Sequence, residues 1–332
     1  MGAVQQGAQR LRAVPPQGTE GPEPQTAVAI RSGIQGDTVF RRLLGVFAAV
    51  IVAVIVLMLV LLVAQSSAAW RTFGLGFITG TDWDPPHNHF GALPYIYGTV
   101  VTAVMALLLA APIGVGCAVF LIEFAPPWLR NPLGFMVELL AAVPSVIFGL
   151  WGIFIFVPWL RGGPEKFLTN NLGFIPLFKG PAFGIGIFAA GLILAIMIVP
   201  YVTAVTREVM RLTPTAQREG MLALGATRWE VIRYVVLPFA RSGIAGGSIL
   251  ALGRALGETM AVTMLIGNRA QIKPSLFAQG ATMSSVIANE FAEAATHLYT
   301  SSLIAVALLL LGVALIMNIL GRLLVWGVAG NR

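Results

Sequence analysis

Two ionisable residues lie inside a long apolar run in the C-terminal part of the chain. The run reads ILALGRALGETMAVTMLIG over residues 249–267, and its charged members are Arg254 and Glu258. Charged side chains at membrane depth are costly, so they usually face a partner group or a water-filled pathway. On one continuous helix, residues four apart share a face and their side chains can pair. The run therefore predicts a charge pair inside a membrane helix.

Arg254 could serve either of two roles. A salt bridge with Glu258 would make both charges tolerable in the membrane, although two apolar residues would pack there at lower cost. An oxyanion site is the alternative, because a guanidinium presents a fixed fork of N–H donors that matches phosphate or sulfate. We predict that Arg254 meets an oxyanion in transit, and that Glu258 orients the guanidinium and balances its charge when no anion is bound.

The composition indicates the kind of protein that must position these two residues. Of the 332 residues, 57% are hydrophobic and 11% are charged, whereas soluble domains carry about 25% charged residues. The net charge is +7, and because the basic residues flank apolar runs, membrane orientation explains them better than nucleic acid does. The sequence therefore predicts an all-α integral membrane protein that does not bind nucleic acid.

Six apolar runs are each close to the roughly 20 residues that cross a bilayer as a helix. We predict one transmembrane helix for each run, with Pro112 and Pro144 as kinks in the second and third. The predicted spans are residues 43–64, 97–122, 135–160, 183–205, 242–266 and 303–328.

The predicted domains follow from these spans. Residues 1–40, rich in Gln, Pro and Gly, are predicted to form a disordered cytoplasmic tail. Residues 41–66 are the predicted first transmembrane helix, residues 67–95 an extracytoplasmic loop, and residues 96–328 the core. Lys and Arg are more frequent in the segments placed inside, so both termini are predicted to be cytoplasmic. The predicted outer loops hold Arg71, Arg161, Lys166, Lys179, Arg269 and Lys273.

The longest predicted inner loop, residues 206–243, has a helical pattern that is interrupted once. Pro214 and Thr215 are a plausible helix start, Gly225 interrupts the helix, and Pro238 precedes the fifth span. An amphipathic helix on the membrane surface and a helix that docks on a partner protein are equally compatible with this composition.

The order of residues in this loop resembles the EAA loop of ABC importer permeases. That family's pattern is Glu-Ala-Ala, three residues, Gly, nine residues, Ile, one residue and Leu-Pro. Glu219, Gly225, Leu237 and Pro238 match this pattern in residue type and spacing. Gly220 and Met221 replace the two alanines, and Val235 replaces the isoleucine. The resemblance implies a type I ABC importer permease fold, in which a coupling loop, here residues 206–240, carries a cytoplasmic coupling helix that docks in a groove of an ATPase.

A further resemblance concerns the phosphate-specific ABC permeases of the PstC type. In that family the Arg and Glu of the fifth-span motif are implicated in phosphate translocation, and they correspond to Arg254 and Glu258. The resemblance implies a prokaryotic plasma membrane, a second permease subunit as heterodimer partner, a dimer of ATP-binding subunits and an extracytoplasmic phosphate-binding protein. It rests on GRALGETMAVTMLIGN (253–268), GLGFITGTDWDP (74–85), FGALPYIYGT (90–99) and VELLAAVPSVIFGLWG (137–152).

Nucleotide binding is not expected in this chain. Its three lysines, Lys166, Lys179 and Lys273, precede Phe, Gly and Pro rather than Ser or Thr, so there is no Walker A pattern. We therefore expect no cofactor, with ATP bound by the partner ATPase, and the His and Asp residues of DWDPPHNHF (82–90) are expected to form a solvated loop rather than a metal site.

Three alternative functions remain open at this point. The same machine could move sulfate or molybdate, since Arg suits any tetrahedral oxyanion. An ATP-independent transporter or channel would leave the coupling loop without a purpose. A sensor or scaffold subunit would not need the intramembrane pair.

Overall fold

The computed structural model describes residues 33–329, with side chains described for residues 39–323. The predicted disorder of residues 1–32 lies outside the described residues. The chain divides into two units, Met1–Val56 and Leu57–Arg332. Of the first unit, the structure describes only residues 33–56, which form the first part of helix α1 (Gly33–Gln65).

Helix α1 begins earlier than the sequence predicts. Residues 33–40 were assigned to the disordered tail, but they are helical. This difference has a physical reason, because adding a residue to an existing helix costs far less than nucleating one. Most apolar side chains of α1 between Val39 and Val63 are exposed, as expected for a helix that meets lipid on its surface.

Six helical segments in the described chain are long and apolar enough to cross a membrane. This confirms the predicted all-α class with six spans. The segments are Val39–Gln65, Leu93–Phe124, Ser145–Leu172, Ile187–Arg211, Arg228–Leu256 and His297–Leu323.

The predicted loop at residues 67–95 contains short folded elements. Its antiparallel hairpin pairs Trp83 with Phe90 and Asp84 with His89, and Asn88 takes the left-handed conformation at the turn, with φ of 57°. The elements are α2 (Ser67–Phe73), α3 (Gly76–Thr79), β1 (Trp83–Asp84) and β2 (His89–Phe90).

The third span differs from its prediction. Val143 has an extended backbone, which is the conformation that a following proline favours, so Pro144 ends one helix and does not merely kink it. The span therefore begins at Ser145 and not at residue 135, and Glu138 lies outside it. The helices up to this point and through the span are α4 (Leu93–Val119, extended by a π-helical turn at Phe120–Phe124), α5 (Pro127–Ala142), α6 (Ser145–Trp151, followed by a π-helical turn at Gly152–Phe156), α7 (Val157–Gly162) and α8 (Pro164–Leu172).

Helix α9 (Ile187–Arg211) is the most extensively packed helix of the bundle, and most of its side chains along one face are buried. This helix packs against α4, α5 and two later helices, α12 (Leu237–Leu256) and α13 (Met260–Leu265). Small residues allow the close approach, as is usual between membrane helices: a Cβ on Gly191 would meet Met105, and one on Gly114 would meet Val202. The helices are α9 (Ile187–Arg211), α10 (Thr215–Ala223), α11 (Arg228–Val231, followed by a π-helical turn at Ile232–Val236), α12 (Leu237–Leu256), α13 (Met260–Leu265), α14 (Met283–Glu290) and α15 (His297–Ala329).

Candidate functional site

The predicted charge pair lies at a break between two helices. Helix α12 ends at Leu256 and α13 begins at Met260, so the prediction of one continuous helix through residues 242–266 is wrong. Arg254 is in the last turn of α12, and Glu258 precedes the first turn of α13. A helix favours a cation at its C-terminal end and a carboxylate at its N-terminal end. The break therefore places each charge where a helix dipole stabilises it.

The two side chains approach each other without forming a close ion pair. Arg254 Nη2 lies 3.7 Å from Glu258 Oε2, whereas a charge-assisted hydrogen bond is about 2.7–2.9 Å long. The Arg254 side chain is 39% exposed and that of Glu258 is 4% exposed. The structure thus brings the two predicted residues together, with a buried carboxylate beside a partly exposed guanidinium.

Tyr201 on α9 contributes a contact that sequence reasoning missed. The guanidinium carbon of Arg254 lies 5.5 Å from the centre of the Tyr201 ring, within the range of a cation–π interaction. A cation–π contact uses no N–H group of the guanidinium in a hydrogen bond, so these donors can still bind an anion. Only its position beside the helix break marks Tyr201, and no local pattern in the sequence predicts that.

Hydroxyl groups hold the broken backbone in place. Ser284 Oγ donates to the carbonyl oxygen of Glu258 at 2.8 Å, and the Thr99 hydroxyl of α4 accepts from the amide of Met283 at 2.9 Å. Thr282 caps the start of α14 through a reciprocal pair of hydrogen bonds with Ser285. Backbone groups freed by a helix break need such partners in an apolar surrounding, so α14 and α4 together support the position of Glu258.

The second candidate site is the segment that joins α9 to α12. Its first helix begins at Thr215, as predicted, and ends at Ala223. Gly225 has a φ of +86°, a conformation that glycine adopts without strain, and this confirms that Gly225 interrupts the helix. Thr227 then starts α11 through a capping box with Glu230. Two short helices joined by a left-handed turn therefore replace one long helix.

The surface of this segment is unusually apolar for an exposed region. Glu219 is exposed, and so are Leu224 and Trp229, with Leu224 at 86%. Leu237 and Pro238 are half-buried at the start of α12. Contiguous exposed apolar side chains commonly mark a protein interface. A groove of about 470 Å³ lies alongside, lined by α10 and the start of α12 and including Met221, Tyr234, Pro238 and Phe239.

An ion pair attaches α10 to the end of the second span. Arg218 Nη1 lies 2.7 Å from Glu123 Oε1, and both side chains are largely buried. Arg218 Nη2 also donates to the carbonyl oxygen of Met210 at 2.8 Å. Sequence reasoning missed Glu123, which is 95 residues away from its partner. These two contacts therefore link the position of α10 to the ends of both α4 and α9.

We expect Glu123→Gln and Arg218→Gln to loosen this attachment. A double-mutant cycle should give a coupling of about 1–2 kcal/mol for the pair, which corresponds to a roughly 5- to 30-fold increase in local opening when it is lost. The measurement is the cleavage rate by proteinase K within residues 212–214, because proteolysis follows the population of the open form. Additive effects of the two changes would contradict the coupling.

The pair on α9, Arg211 and Glu208, offers a matched control. It is also a close Arg–Glu pair, at 3.1 Å, but both side chains are well exposed. Exposed ion pairs contribute little, so its removal should leave proteolysis of the segment nearly unchanged. Another pair, between Glu138 of α5 and Arg207 of α9, also has an exposed carboxylate.

The fold and the first site together define a class of protein. Six spans, a helix broken inside the bundle and a buried carboxylate beside a partly exposed guanidinium are features of membrane transport proteins. Among the described residues, no three His, Cys, Asp or Glu side chains are arranged to hold a metal ion.

Comparisons with known proteins specify the family. Residues 110–329 match the family described as "Binding-protein-dependent transport system inner membrane component". The chain is 44% identical over 290 residues to the phosphate transport system permease protein PstC of Mesorhizobium japonicum, covering 86% of this chain and 89% of the relative. For the protein of the same name from Haemophilus influenzae, identity is 43% over 293 residues, covering 87% of this chain and 93% of the relative.

Solved structures agree with this assignment at the level of fold. A chain of a bacterial alginate ABC transporter, crystallised with a pentasaccharide-bound periplasmic protein, superposes with a TM-score of 0.57 at 17% identity. The match covers 89% of this chain and 98% of that one. The chain therefore belongs to the family of membrane components of binding-protein-dependent transport systems, and the predicted resemblance to ABC importer permeases of the PstC type is confirmed. As a member, it is one subunit of a larger transport complex.

Proposed function

We propose that this chain is the membrane permease subunit of an ATP-driven importer that moves inorganic phosphate into the cell. The observation that carries the proposal is the partly exposed guanidinium of Arg254 beside the buried carboxylate of Glu258. Relatives that are identical to this chain at more than 40% of the aligned positions are phosphate transport permeases, which favours phosphate over sulfate or molybdate.

The chemistry assigned to the pair is transient binding of the anion. The N–H groups of Arg254 donate to the phosphate oxygens in a bidentate arrangement, while the Tyr201 ring contacts the guanidinium. Glu258 balances the charge of Arg254 before the anion arrives, and it repels the bound anion afterwards. A substrate must leave as well as enter, so weak binding at this point suits transport.

Energy for the cycle comes from another subunit in this proposal. The chain carries no Walker A pattern. In this proposal it binds no cofactor, and a dimer of ATP-binding subunits docks on the exposed surface of α10 and α11. Glu219, Gly225, Leu237 and Pro238 position that surface. In this proposal, α10 and both termini lie in the cytoplasm of a prokaryotic cell, and the chain spans the plasma membrane.

Two other proteins complete the proposed complex. A second permease subunit pairs with this one as a heterodimer, and an extracytoplasmic phosphate-binding protein delivers the anion at the end of the bundle opposite α10. The decisive test is uptake of labelled phosphate, sulfate and molybdate by liposomes that contain the full complex. Uptake of phosphate well above the other two anions is expected. Equal uptake of all three, or uptake without ATP, would refute the proposal.

The purified chain alone should neither bind nor hydrolyse ATP. Its three lysines are followed by Phe, Gly and Pro, and a P-loop needs a Ser or Thr after its Lys. Binding of a fluorescent ATP analogue and phosphate release are measured before and after addition of the ATP-binding subunit. Hydrolysis that persists after every other nucleotidase has been removed would contradict this expectation.

A further inference from the structure

A basic pocket lies at the end of α9 opposite α10. Three cationic side chains line it: Lys179, Arg269 and Lys273. The pocket holds about 280 Å³, enough for a tetrahedral oxyanion with several waters at about 30 Å³ each. Its other walls are neutral and include Ser275, Gln271 and Gln279. No carboxylate is among the lining residues.

The cations of the basic pocket lack negative partners. None of them belongs to an ion pair among residues whose side chains the structure describes. Two carboxylates near these loops in the sequence have other partners: Glu165 accepts from the amide of Gly184, and Glu290 accepts from Trp83 and Tyr299. Three unneutralised cations around one cavity create a positive potential that attracts anions.

The backbone around the basic pocket is held in a defined shape. Arg269 donates its amide to Gly280, and Gly280 donates to Ile266, so residues 266–280 fold back on themselves. Gln271 Nε2 donates to the carbonyl oxygen of Gln279 at 2.7 Å. The exposed side chains therefore extend from fixed points, which lowers the cost of arranging them around a ligand.

One residue of the basic pocket lies close in sequence to the charge pair. Arg269 follows Glu258 by eleven residues, and the short helix α13 spans most of that distance. Gly267 and Asn268 both take positive φ, at 91° and 51°, and turn the chain out of α13 immediately before Arg269. One continuous segment thus carries a cation of the basic pocket at one end and the carboxylate of the charge pair at the other.

We propose that the basic pocket is a separate oxyanion site, at which inorganic phosphate binds before it reaches Arg254. The proposal rests on the proposed function for its substrate. A concave cavity with cations on several walls suits a small anion, whereas a protein partner would be met by a broader surface. Binding is weak and rapidly reversible, because all three cations are exposed to water.

Lysine reactivity provides the test, since the chain contains only three lysines. The purified complex without binding protein is acylated with an amine-reactive ester, and the rate at each lysine is read by mass spectrometry. Phosphate at three times its dissociation constant should slow labelling of Lys179 and Lys273 about fourfold, because the free fraction falls as 1/(1 + [L]/Kd). Lys166 is exposed but does not line the pocket, so its rate should stay constant and serve as the internal control.

Chloride at equal ionic strength should give no protection, and Arg269→Gln should abolish the protection by phosphate while both lysines remain. Protection that is equal with chloride, or equal at all three lysines, would overturn the proposal. Protection by the binding protein but not by phosphate would also overturn it and would identify a docking surface. Phosphate uptake by the unmodified complex is measured in parallel, so that loss of the proposed function and loss of this site are distinguished.

Discussion

Replacing Arg254 and Glu258 together by leucine should leave the complex assembled but remove most of its phosphate uptake. A purely structural salt bridge would make the double change harmless, because no charge is left alone in the membrane. The distance of 3.7 Å and the 39% exposure of Arg254 instead indicate a guanidinium with free donors. Loss of one charged hydrogen bond to the anion, about 1.5–3 kcal/mol, predicts that uptake falls roughly 10- to 100-fold.

Two further variants separate charge from geometry. Arg254→Lys keeps the positive charge but loses the planar fork, so uptake should also fall. The exchange Arg254→Glu with Glu258→Arg keeps a pair but puts each charge at the unfavourable end of a helix dipole, and it should transport poorly as well. The control is the exposed pair on α9, Glu208→Leu with Arg211→Leu, which should transport nearly as well as the parent.

The measurements are uptake of labelled phosphate into liposomes and co-purification of the ATP-binding subunit. Normal co-purification with lost uptake supports a role in translocation. Near-normal uptake by the double leucine variant would reduce the pair to a structural salt bridge. It would also leave the assignment of phosphate dependent on the relatives alone.

Hydropathy was enough to predict the spans but not their interruptions. A helix that crosses the bilayer needs about 20 predominantly apolar residues in succession. Such a run is visible in the sequence without knowledge of the fold. The break at residues 257–259 is different, because the pattern of residues 249–267 suits an unbroken helix. What stabilises the break is the hydrogen bond from Ser284 to the Glu258 carbonyl, between residues that are 26 apart. Such partners are set by tertiary packing and leave no local signal.

The same reasoning explains which site residues were found. Arg254 and Glu258 were predictable because a charge in an apolar run is rare and costly. Tyr201 and Glu123 were not, since a tyrosine and a glutamate near helix ends are ordinary until the fold places an arginine beside them. Gly225 was predictable because a glycine within a helical pattern is a common point of interruption, and glycine adopts the left-handed conformation observed here without strain.

Gly225→Val should uncouple ATP hydrolysis from transport while the membrane part stays folded. No atom lies within 4 Å of a Cβ built on Gly225, so crowding is not the problem. The substitution is instead unfavourable for the backbone conformation, because a φ of +86° costs a residue with a side chain about 1–2 kcal/mol. A β-branched residue is worse still at positive φ. The turn between α10 and α11 must then change shape, and the surface proposed to meet the ATPase changes with it.

Two other substitutions in the same segment identify the cause. Gly225→Asn should retain more coupling than Gly225→Val, since asparagine tolerates the left-handed conformation. Gly220→Ala adds a methyl group to open space on a helical backbone, where alanine is preferred to glycine, so coupling should stay close to that of the parent. The measurements are ATP hydrolysis stimulated by the loaded binding protein and retention of the ATP-binding subunit during purification. If Gly225→Val keeps both at parental levels with unchanged yield, the left-handed turn is not part of the coupling device, and the exposed surface of α10 and α11 would need another partner.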